Sequence, residues 1–336
     1  MLATWELGNS VTLTNNRDDF AIVRKMKDLG KPSVRMEKID EATADQRIDN
    51  FLLRLCKGVP KSHVYRILRS GEVRVNSRRV DAAYRLQPGD AVRIPPLRVA
   101  DRDDRRPAPP ADFPILFEDD AMLAIDKPAG VAVHGGSGVS FGAIEQLRQA
   151  RPDARFLELV HRLDRETSGV LLLAKKRTAL VAMHELLRSG NIDKRYLTLV
   201  KGKWTKPRLK VDLALEKYLN AEGERRVSVN REGRHAVTFF ALRKAWQEVS
   251  LLEATLKTGR THQIRVHLAH LGFPICGDAK YGDFAYNRLL AKRGLKRMFL
   301  HAARLQFAHP LTAETVIIES ALPPALAGFI AGLEAP

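Results

Sequence analysis

The sequence has little cysteine and no long apolar run. Its 336 residues include two cysteines, Cys56 and Cys276, which are far apart and outside any zinc-ligand spacing. This scarcity argues against a disulfide framework and suits a reducing compartment. No apolar run approaches the ~18 residues that span a bilayer, and the N-terminal segment lacks the basic start and apolar core of a signal peptide. We therefore expect a cytoplasmic protein without a membrane span.

Motifs for nucleotide, metal and serine chemistry are also missing. The glycine loop at 134–138 lacks the lysine of a phosphate-binding loop and does not complete a dinucleotide fingerprint. The spacing of His262, His267 and His270 is poor for three ligands to one metal on a helix. Ser168 is not in a G-x-S-x-G elbow. We therefore expect neither a cofactor nor a metal.

Positive charge, by contrast, is in excess. The chain has 56 Lys and Arg against 39 Asp and Glu, which gives a formal net charge of +17. Such a balance favours a polyanionic partner, either nucleic acid or an anionic membrane surface. Because the basic residues are spread along the chain, we favour nucleic acid, whose phosphates they would neutralise.

Composition and periodicity divide the chain into four segments. Residues 1–44 are polar and basic, and we interpret them as a loosely ordered arm with at most one short strand. Residues 45–96 form a small helix–helix–hairpin domain, and the charged, proline-rich residues 97–112 form a linker. Residues 113–332 mix short strands with helices without regular βαβ alternation, which predicts an α+β domain with a largely antiparallel mixed sheet.

The small domain carries a basic surface. Ile48, Phe51, Leu52 and Leu55 follow the spacing of an amphipathic helix, and a second helix, a turn at Gly71 and strands at 72–75, 78–80 and 91–94 come after it. From residue 45 to 98 there are 12 Lys and Arg against 5 Asp and Glu. An ordinary solvated face would also be basic in part, but basic residues on adjoining elements suit an RNA backbone. The candidate RNA-binding residues are Lys61, Arg66, Arg69, Arg74, Arg78 and Arg79.

The stretch HRLDRETSG at 161–169 is the strongest candidate for chemistry. It places Asp164 between Arg162 and Arg165 and ahead of the apolar run 170–174. Nearby guanidinium groups favour an ionised carboxylate, which can act as a nucleophile or a general base. A structural ion-pair loop that caps a strand would have the same composition. Charge pattern alone does not separate the two interpretations.

Several distant blocks accompany this stretch. They are KRYLTLVKG from Lys194, TGRTHQIRVHLAHLGFPICGDAKYG from Thr258 and FLHAARLQF from Phe299. Together with HRLDRETSG they resemble the pseudouridine synthases that modify large-subunit ribosomal RNA and some transfer RNAs. The runs RIDNFLL, VYRILRSGEVRVNSRRV and LQPGDAVRI resemble the RNA-binding module first described in ribosomal small-subunit protein four.

The resemblance implies a function and a site. The enzyme would detach a uracil from its ribose, turn it and rejoin it through carbon 5, without cofactor or metal. Asp164 would be the catalytic residue, Tyr196 would stack on the target uracil, and Arg265 would pair with Asp164. Arg162 would occupy the space left by the flipped base. Residues expected to contact the RNA here are Arg162, Arg165, Arg260 and His262.

Some alternatives stay open at this stage. The carboxylate of Asp164 could attack the anomeric carbon, or it could take a ribose 2′-proton and start elimination to a glycal. The substrate could be ribosomal or transfer RNA, and a non-catalytic RNA-binding assembly factor would share the N-terminal module. We expect a monomer that acts on ribosomal RNA as free RNA or as an assembly intermediate. The basic segment 206–235 matches none of the family blocks, and we interpret it as a β-hairpin excursion.

Overall fold

The structure is a computed structural model that describes six stretches of the chain. These are residues 34–41, 43–56, 59–97, 108–136, 139–221 and 223–334. The chain divides into two units, Met1–Arg105 and Arg106–Pro336. Most of the predicted arm and most of the predicted linker lie outside the described residues. Among the described residues, no helix is both long and apolar enough to cross a bilayer.

The first unit combines two helices with a three-stranded sheet. Its helices are α1 (Ile48–Leu55) and α2 (Lys61–Arg69). Its strands are β1 (Arg35–Lys38), β2 (Arg74–Val75) and β3 (Ala91–Ile94), in the order β1-β3-β2 with antiparallel pairing. The apolar side chains at i, i+3 and i+4 of both helices are buried in one core, as the periodicity predicted.

Two details of this unit differ from the sequence-based expectation. Residues 78–80 do not form a strand: Asn76 and Ser77 adopt positive φ angles and turn the chain, and Arg78 then pairs with Val75 in an isolated bridge. The third strand is β1, from the end of the predicted arm, and Ile39 beyond it is buried. A short strand of this kind gains its stability from the sheet that it joins, so its own sequence gives a weak signal.

The second unit has twelve strands and five helices within its described residues. Its strands are β4 (Ile115–Glu118), β5 (Met122–Lys127), β6 (Glu158–Leu159), β7 (Ser168–Ala174), β8 (Asp193–Lys201), β9 (Arg208–Asp212), β10 (Leu215–Leu219), β11 (Arg225–Val229), β12 (Val237–Ala245), β13 (Val249–Leu256), β14 (Leu300–Ala308) and β15 (Thr315–Glu319). Its helices are α3 (Ala143–Ala150), α4 (Arg177–Ser189), α5 (Gln263–His270), α6 (Phe284–Lys292) and α7 (Pro324–Glu334).

Ten of these strands form one sheet in the order β4-β5-β7-β14-β8-β13-β12-β9, with β6 paired to β7 and β15 to β14. Every pairing is antiparallel except that of β7 with β14. The prediction of an α+β fold with a mixed, largely antiparallel sheet is confirmed. Strands β10 and β11 form a separate hairpin, so the predicted excursion at 206–235 contributes β9 to the main sheet and a hairpin beyond it.

Strand β7 lies at the centre of the core and explains the apolar run at 170–174. All seven of its residues are buried. Leu171 and Leu173 pack in a cluster with Tyr196, whereas Val170 and Leu172 pack in a second cluster with residues of α4. The sequence of a strand that is covered on both faces is a continuous apolar run, because neither face meets water. Both β7 and the loop before it are therefore anchored firmly.

Candidate active site

One cleft of about 860 Å³ in the second unit brings the predicted catalytic blocks together. The loop between β6 and β7, strand β8, the end of β13 and the start of α5 all contribute to its walls. Every second-unit residue that the sequence indicated for the site lines it. These residues are Arg162, Asp164, Arg165, Tyr196, Arg260, His262 and Arg265.

Asp164 presents its carboxylate to this cleft. Its side chain is 26% exposed, and Oδ2 accepts a hydrogen bond of 3.0 Å from Nη1 of Arg265, which lies 101 residues further along the chain. The Asp164 carbonyl accepts from the Thr167 backbone N–H at 3.1 Å and closes a turn. The carboxylate is thus fixed in direction and still open to a ligand.

Three side chains fix the loop that carries Asp164. The ammonium of Lys127, which is fully buried, donates to the carbonyls of Pro128, Val131 and Arg165 at 2.8, 2.8 and 3.2 Å. Burial lowers the pKa of this lysine to about 8. The Arg165 guanidinium donates to the Gly130 carbonyl at 3.0 Å. Arg297 donates to Ser168 Oγ at 2.8 Å, where the loop enters β7.

Gly169 allows this loop to enter the sheet. Its φ is +108°, and a Cβ at this position would lie 2.2 Å from the Ala302 carbonyl oxygen on β14. L-residues rarely adopt such a φ, and the contact is with backbone that cannot rotate away. Glycine is therefore required where β7 and β14 pair in parallel beside the site.

Arg265 lies between two carboxylates. Its Nε and Nη2 donate to Asp278 Oδ2 and Oδ1 at 2.7 and 2.8 Å, and its Nη1 donates to Asp164. Burial opposes the charge on this guanidinium, but the two carboxylates outweigh burial and raise its pKa. Asp278 is completely buried and also accepts from the backbone N–H of Lys280 at 2.8 Å. The bidentate pair sets the direction in which Nη1 points.

His262 lines the cleft and contacts Tyr281. His262 has a positive φ of 53° at the start of α5, and its Nδ1 lies 2.8 Å from the Tyr281 hydroxyl. Its Nε2 lies 3.9 Å from Asp164 Oδ2. The Tyr281 hydroxyl accepts from the Val227 N–H at 3.0 Å, which joins hairpin β10–β11 to the site. No three His, Cys, Asp or Glu side chains in the described ranges are arranged to hold a metal ion.

Tyr196 forms the apolar wall beside Asp164. It is 7% exposed and packs in the cluster that contains Leu171 and Leu173. Burial, followed by the negative charge of Asp164, raises the pKa of its phenol. The hydroxyl therefore keeps its proton at neutral pH, and the ring offers a fixed surface against which a planar base can stack.

The two arginines that flank Asp164 in the sequence are exposed, whereas Arg265 is buried. Arg162 is exposed on the wall of the cleft. Arg165 is also exposed, and its guanidinium binds the Gly130 carbonyl. The hydrogen-bonded cation at Asp164 is thus the distant Arg265, and Arg162 presents its charge to the cleft. Arg260 is exposed at the cleft and donates to the His235 carbonyl at 3.0 Å.

The six basic candidates of the first unit are all exposed. They are Lys61, Arg66, Arg69, Arg74, Arg78 and Arg79. The Arg79 guanidinium donates to the Arg69 carbonyl at 2.5 Å, which joins the turn after β2 to the end of α2. Arg66 forms an ion pair of 3.0 Å with Glu72. Helix and turn thus present their charges on neighbouring parts of one surface.

Sequence reasoning missed several residues that build the site. Asp278 and Tyr281 belong to the quoted GDAKYG block, but the burial of Asp278 behind Arg265 and the contact of Tyr281 with His262 are not visible in the sequence. Lys127 acts through backbone carbonyls and Arg297 through the Ser168 hydroxyl, and neither contact leaves a pattern in the chain. Lys194 belongs to the KRY block and lines the cleft with its side chain almost fully buried. A lysine placed two residues before Tyr196 on the same strand was the available signal.

The sequence matches known families over both units. Residues 121–270 match the RNA pseudouridylate synthase family, and residues 46–92 match the S4 domain family. The chain is 52% identical over 298 residues to ribosomal large subunit pseudouridine synthase C of Escherichia coli K12, which covers 86% of this chain and 93% of that protein. It is 51% identical over 297 residues to the protein of the same name from Yersinia pestis, with 87% and 93% coverage.

Solved structures agree with this assignment. The structure of human RNA pseudouridylate synthase domain containing 4 matches with a TM-score of 0.55 and 25% identity, covering 66% of this chain and 92% of that one. That of human RNA pseudouridylate synthase domain containing 1 shares the fold with a TM-score of 0.53 and 24% identity, covering 67% and 96%. This chain therefore belongs to the RNA pseudouridylate synthase family, and it is a pseudouridine synthase with an N-terminal S4 domain.

Proposed function

We propose that this enzyme converts specific uridines of large-subunit ribosomal RNA to pseudouridine, with Asp164 as the catalytic residue. The substrate is supported by relatives with 51% and 52% identity that are named ribosomal large subunit pseudouridine synthases. The observation that carries the catalytic assignment is the geometry of Asp164. It is the one carboxylate among the described residues lining the cleft, and a buried guanidinium orients it.

Tyr196 is only 7% exposed, so a uridine that remains stacked in folded RNA cannot place its base against the ring. The target nucleotide must leave its stack, at a cost of a few kcal/mol. Tyr196 offers a buried ring against which the uracil stacks. Arg162 is exposed on the cleft wall, and a planar guanidinium stacks well on the bases that the flipped nucleotide leaves. The contribution of these residues is to place the ribose beside the Asp164 carboxylate.

The chemistry then needs one ionised carboxylate near the ribose. Asp164 either attacks the anomeric carbon or removes a 2′-proton, and both routes release uracil that rejoins through carbon 5. Arg265 supports an ionised Asp164 in either route, since its Nη1 donates to Oδ2. Asp278 shares the charge of that guanidinium, so that Arg265 orients Asp164 without fully neutralising it. Tyr196 keeps its hydroxyl proton close to the reacting base.

The first unit supplies affinity in this proposal. The six exposed basic residues on α2, β2 and the following turn bind RNA phosphates, which position the substrate without reading its sequence. We propose that the enzyme works in the cytoplasm as a monomer, on free ribosomal RNA or an assembly intermediate. Light scattering of the purified protein with and without RNA measures the oligomeric state.

The substrate assignment is tested directly by mapping pseudouridine. Purified protein is incubated with unmodified transcripts of large-subunit ribosomal RNA and, separately, with a set of transfer RNAs. Pseudouridine at discrete positions in the ribosomal transcript supports the proposal. Modification confined to transfer RNA would show that the substrate is transfer RNA instead. Tight binding with no pseudouridine in any RNA contradicts the catalytic function.

A further inference from the structure

Lys194 is a buried cation that the reaction described above does not use. It precedes Tyr196 by two residues on β8, and both side chains line the cleft. Residues at i and i+2 of a strand share one face and lie about 6.6 Å apart along it. Lys194 is 5% exposed. Its largely buried side chain therefore lies in the wall of the cleft, on the same face of β8 as the ring proposed to hold the target base.

The ammonium of Lys194 has no protein counterion in the described part of the chain. No residue there forms a hydrogen bond or an ion pair with it. The neighbouring Asp193 forms its ion pair with Arg195 at 2.7 Å and alternates to the other face of β8. The side chain is also not held by a cage of carbonyls like the one around Lys127. A charge on a largely buried side chain without an ion-pair partner is costly, because the part of its hydration that is lost is not replaced.

The residues that line the cleft near Lys194 are mostly basic or neutral. Lys257, just after β13, and Arg188, at the end of α4, line the same cleft. Burial, followed by the charge of Lys257, lowers the pKa of Lys194, and the charge of the neighbouring Asp193 opposes them without outweighing them. His161 and His184 also line this part of the cleft, and burial lowers the pKa of both, that of His161 to about 4. These imidazoles are therefore neutral at pH 7 and do not offset the positive charge.

The charges that line the whole cleft also favour an anionic ligand. Its described lining includes one carboxylate, that of Asp164, which Arg265 already engages. The cations that line it are Arg162, Arg165, Arg188, Lys194, Lys257, Arg260 and Arg265. A like-charged cluster around a buried ammonium is stabilised when an anion enters, since the anion replaces the lost hydration and screens the repulsion.

We propose that Lys194 and Lys257, with Arg188 at the rim, form a subsite for one backbone phosphate next to the target uridine. The proposal rests on the function proposed above and adds a binding site for the RNA strand itself. Because Lys194 and Tyr196 line the cleft from one face of β8, an RNA strand whose target base lies against Tyr196 would bring its backbone close to Lys194. Arg188 is placed at the rim because its guanidinium also pairs with the exposed Glu185.

The subsite has a mechanical consequence for base flipping. A phosphate bound in the wall of the cleft fixes the position of the RNA strand beside Tyr196. The flipped nucleotide then has one fixed end, so that its ribose approaches Asp164 in a restricted set of orientations. Fixing a reactant in this way lowers the entropic part of the barrier. The subsite should therefore affect the rate of isomerisation as well as RNA affinity.

The test uses the full-length enzyme and a stem–loop RNA that contains a mapped target uridine. Single linkages on either side of that uridine are made neutral by replacing one non-bridging phosphate oxygen with methyl. One such replacement should lower kcat/KM of the wild type about ten- to hundredfold, as expected for a lost charge-assisted hydrogen bond. The variant Lys194→Met should show a similar loss with normal RNA and no further loss with the same neutral linkage.

Lys176→Met is the matched control, because Lys176 is exposed ahead of α4 and does not line the cleft. This variant should remain as sensitive to the neutral linkage as the wild type. The unfolding temperature of Lys194→Met should not fall, because methionine removes a costly buried charge. If Lys194→Met does not fold, Lys257→Met, at an exposed position, is measured in the same way.

The proposed subsite is overturned if Lys194→Met remains as sensitive as the wild type to every neutral linkage. Where Lys257→Met is measured instead, the same result for that variant overturns it. So does a wild type that is indifferent to all of them. A wild type that forms no pseudouridine in the unmodified RNA contradicts the proposed function instead. Equilibrium binding of the same neutral-linkage RNAs then still decides whether Lys194 contacts a phosphate.

Discussion

Asp278 binds the Arg265 guanidinium through Nε and Nη2 and leaves Nη1 to Asp164. We expect Asp278→Asn to lower kcat by about 100-fold, because a shift of the guanidinium misplaces the catalytic carboxylate. RNA affinity should change little, since Asp278 is completely buried. Single-turnover rates and equilibrium binding of one RNA separate the two effects.

The control for this variant is Asp283→Asn. Asp283 caps α6 and pairs with Lys201 outside the cleft, so that its loss should affect stability more than kcat. Equal rates for Asp278→Asn and the wild type would show that Arg265 needs no support from Asp278.

Gly169→Ala should destabilise the second unit by about 2–4 kcal/mol, as strained backbone and a severe clash combine. The added Cβ would lie 2.2 Å from the Ala302 carbonyl oxygen. Gly130→Ala is the comparison, because Gly130 also has a positive φ but nothing within 4 Å of an added Cβ. Gly130→Ala should lower the free energy of unfolding by only about 1 kcal/mol. Denaturant unfolding measures both, and equal losses would contradict the role assigned to the Ala302 contact.

His161 makes the fold sensitive to acid. Burial and the charge of Lys194 lower its pKa to about 4, and its Nε2 accepts the Leu172 N–H at 3.1 Å. The unfolded chain takes up this proton near pH 6.5, whereas the folded chain resists until about pH 4. The free energy of unfolding should therefore fall between these values as pH decreases, by up to about 3 kcal/mol.

The variant His161→Gln isolates this contribution. Its unfolding free energy should vary less than that of the wild type between pH 6.5 and 4, because glutamine does not titrate. Substitution of the exposed His270 by Gln provides the comparison. Parallel pH profiles for His161→Gln and the wild type would contradict the assignment.

The first unit should control the salt dependence of RNA binding. Replacing Arg66 and Arg69 with Ala should weaken binding and reduce the slope of log K against log salt by roughly one for each phosphate that the protein no longer binds. Both residues are exposed on α2. Arg85→Ala is the comparison, because it also removes an arginine from the first unit, but one whose side chain is paired with Asp45. An unchanged slope in the double variant would move the RNA surface elsewhere.

Local pattern predicted the elements whose burial follows a simple period. The helices α1 and α2 have apolar side chains at helical spacing, and β7 is an apolar run because both of its faces are covered. The arm strand β1 was only weakly indicated, and the strand expected at 78–80 does not form. The strand β1 depends on pairing with β3, which lies far along the chain and is not contained in a local pattern.

The site was predictable only where a block of sequence resembled a family. Asp164, Tyr196 and Arg265 were indicated in this way, and they line one cleft. The pairing of Arg265 with Asp164 followed from the resemblance, whereas its bidentate pairing with Asp278 could not be read from the sequence. Chain neighbours share composition, but a hydrogen bond depends on where distant strands and helices meet. Lys194 was passed over because a lysine beside an arginine suggests solvent exposure.

The central claim is that Asp164 performs the isomerisation on large-subunit ribosomal RNA. The most direct measurement compares wild type and Asp164→Ala on the same ribosomal transcript, with pseudouridine mapped at single-nucleotide resolution and RNA binding measured in parallel. We expect the wild type to modify discrete uridines, and the variant to bind the RNA but form no pseudouridine. Full activity of Asp164→Ala at those positions would contradict the account.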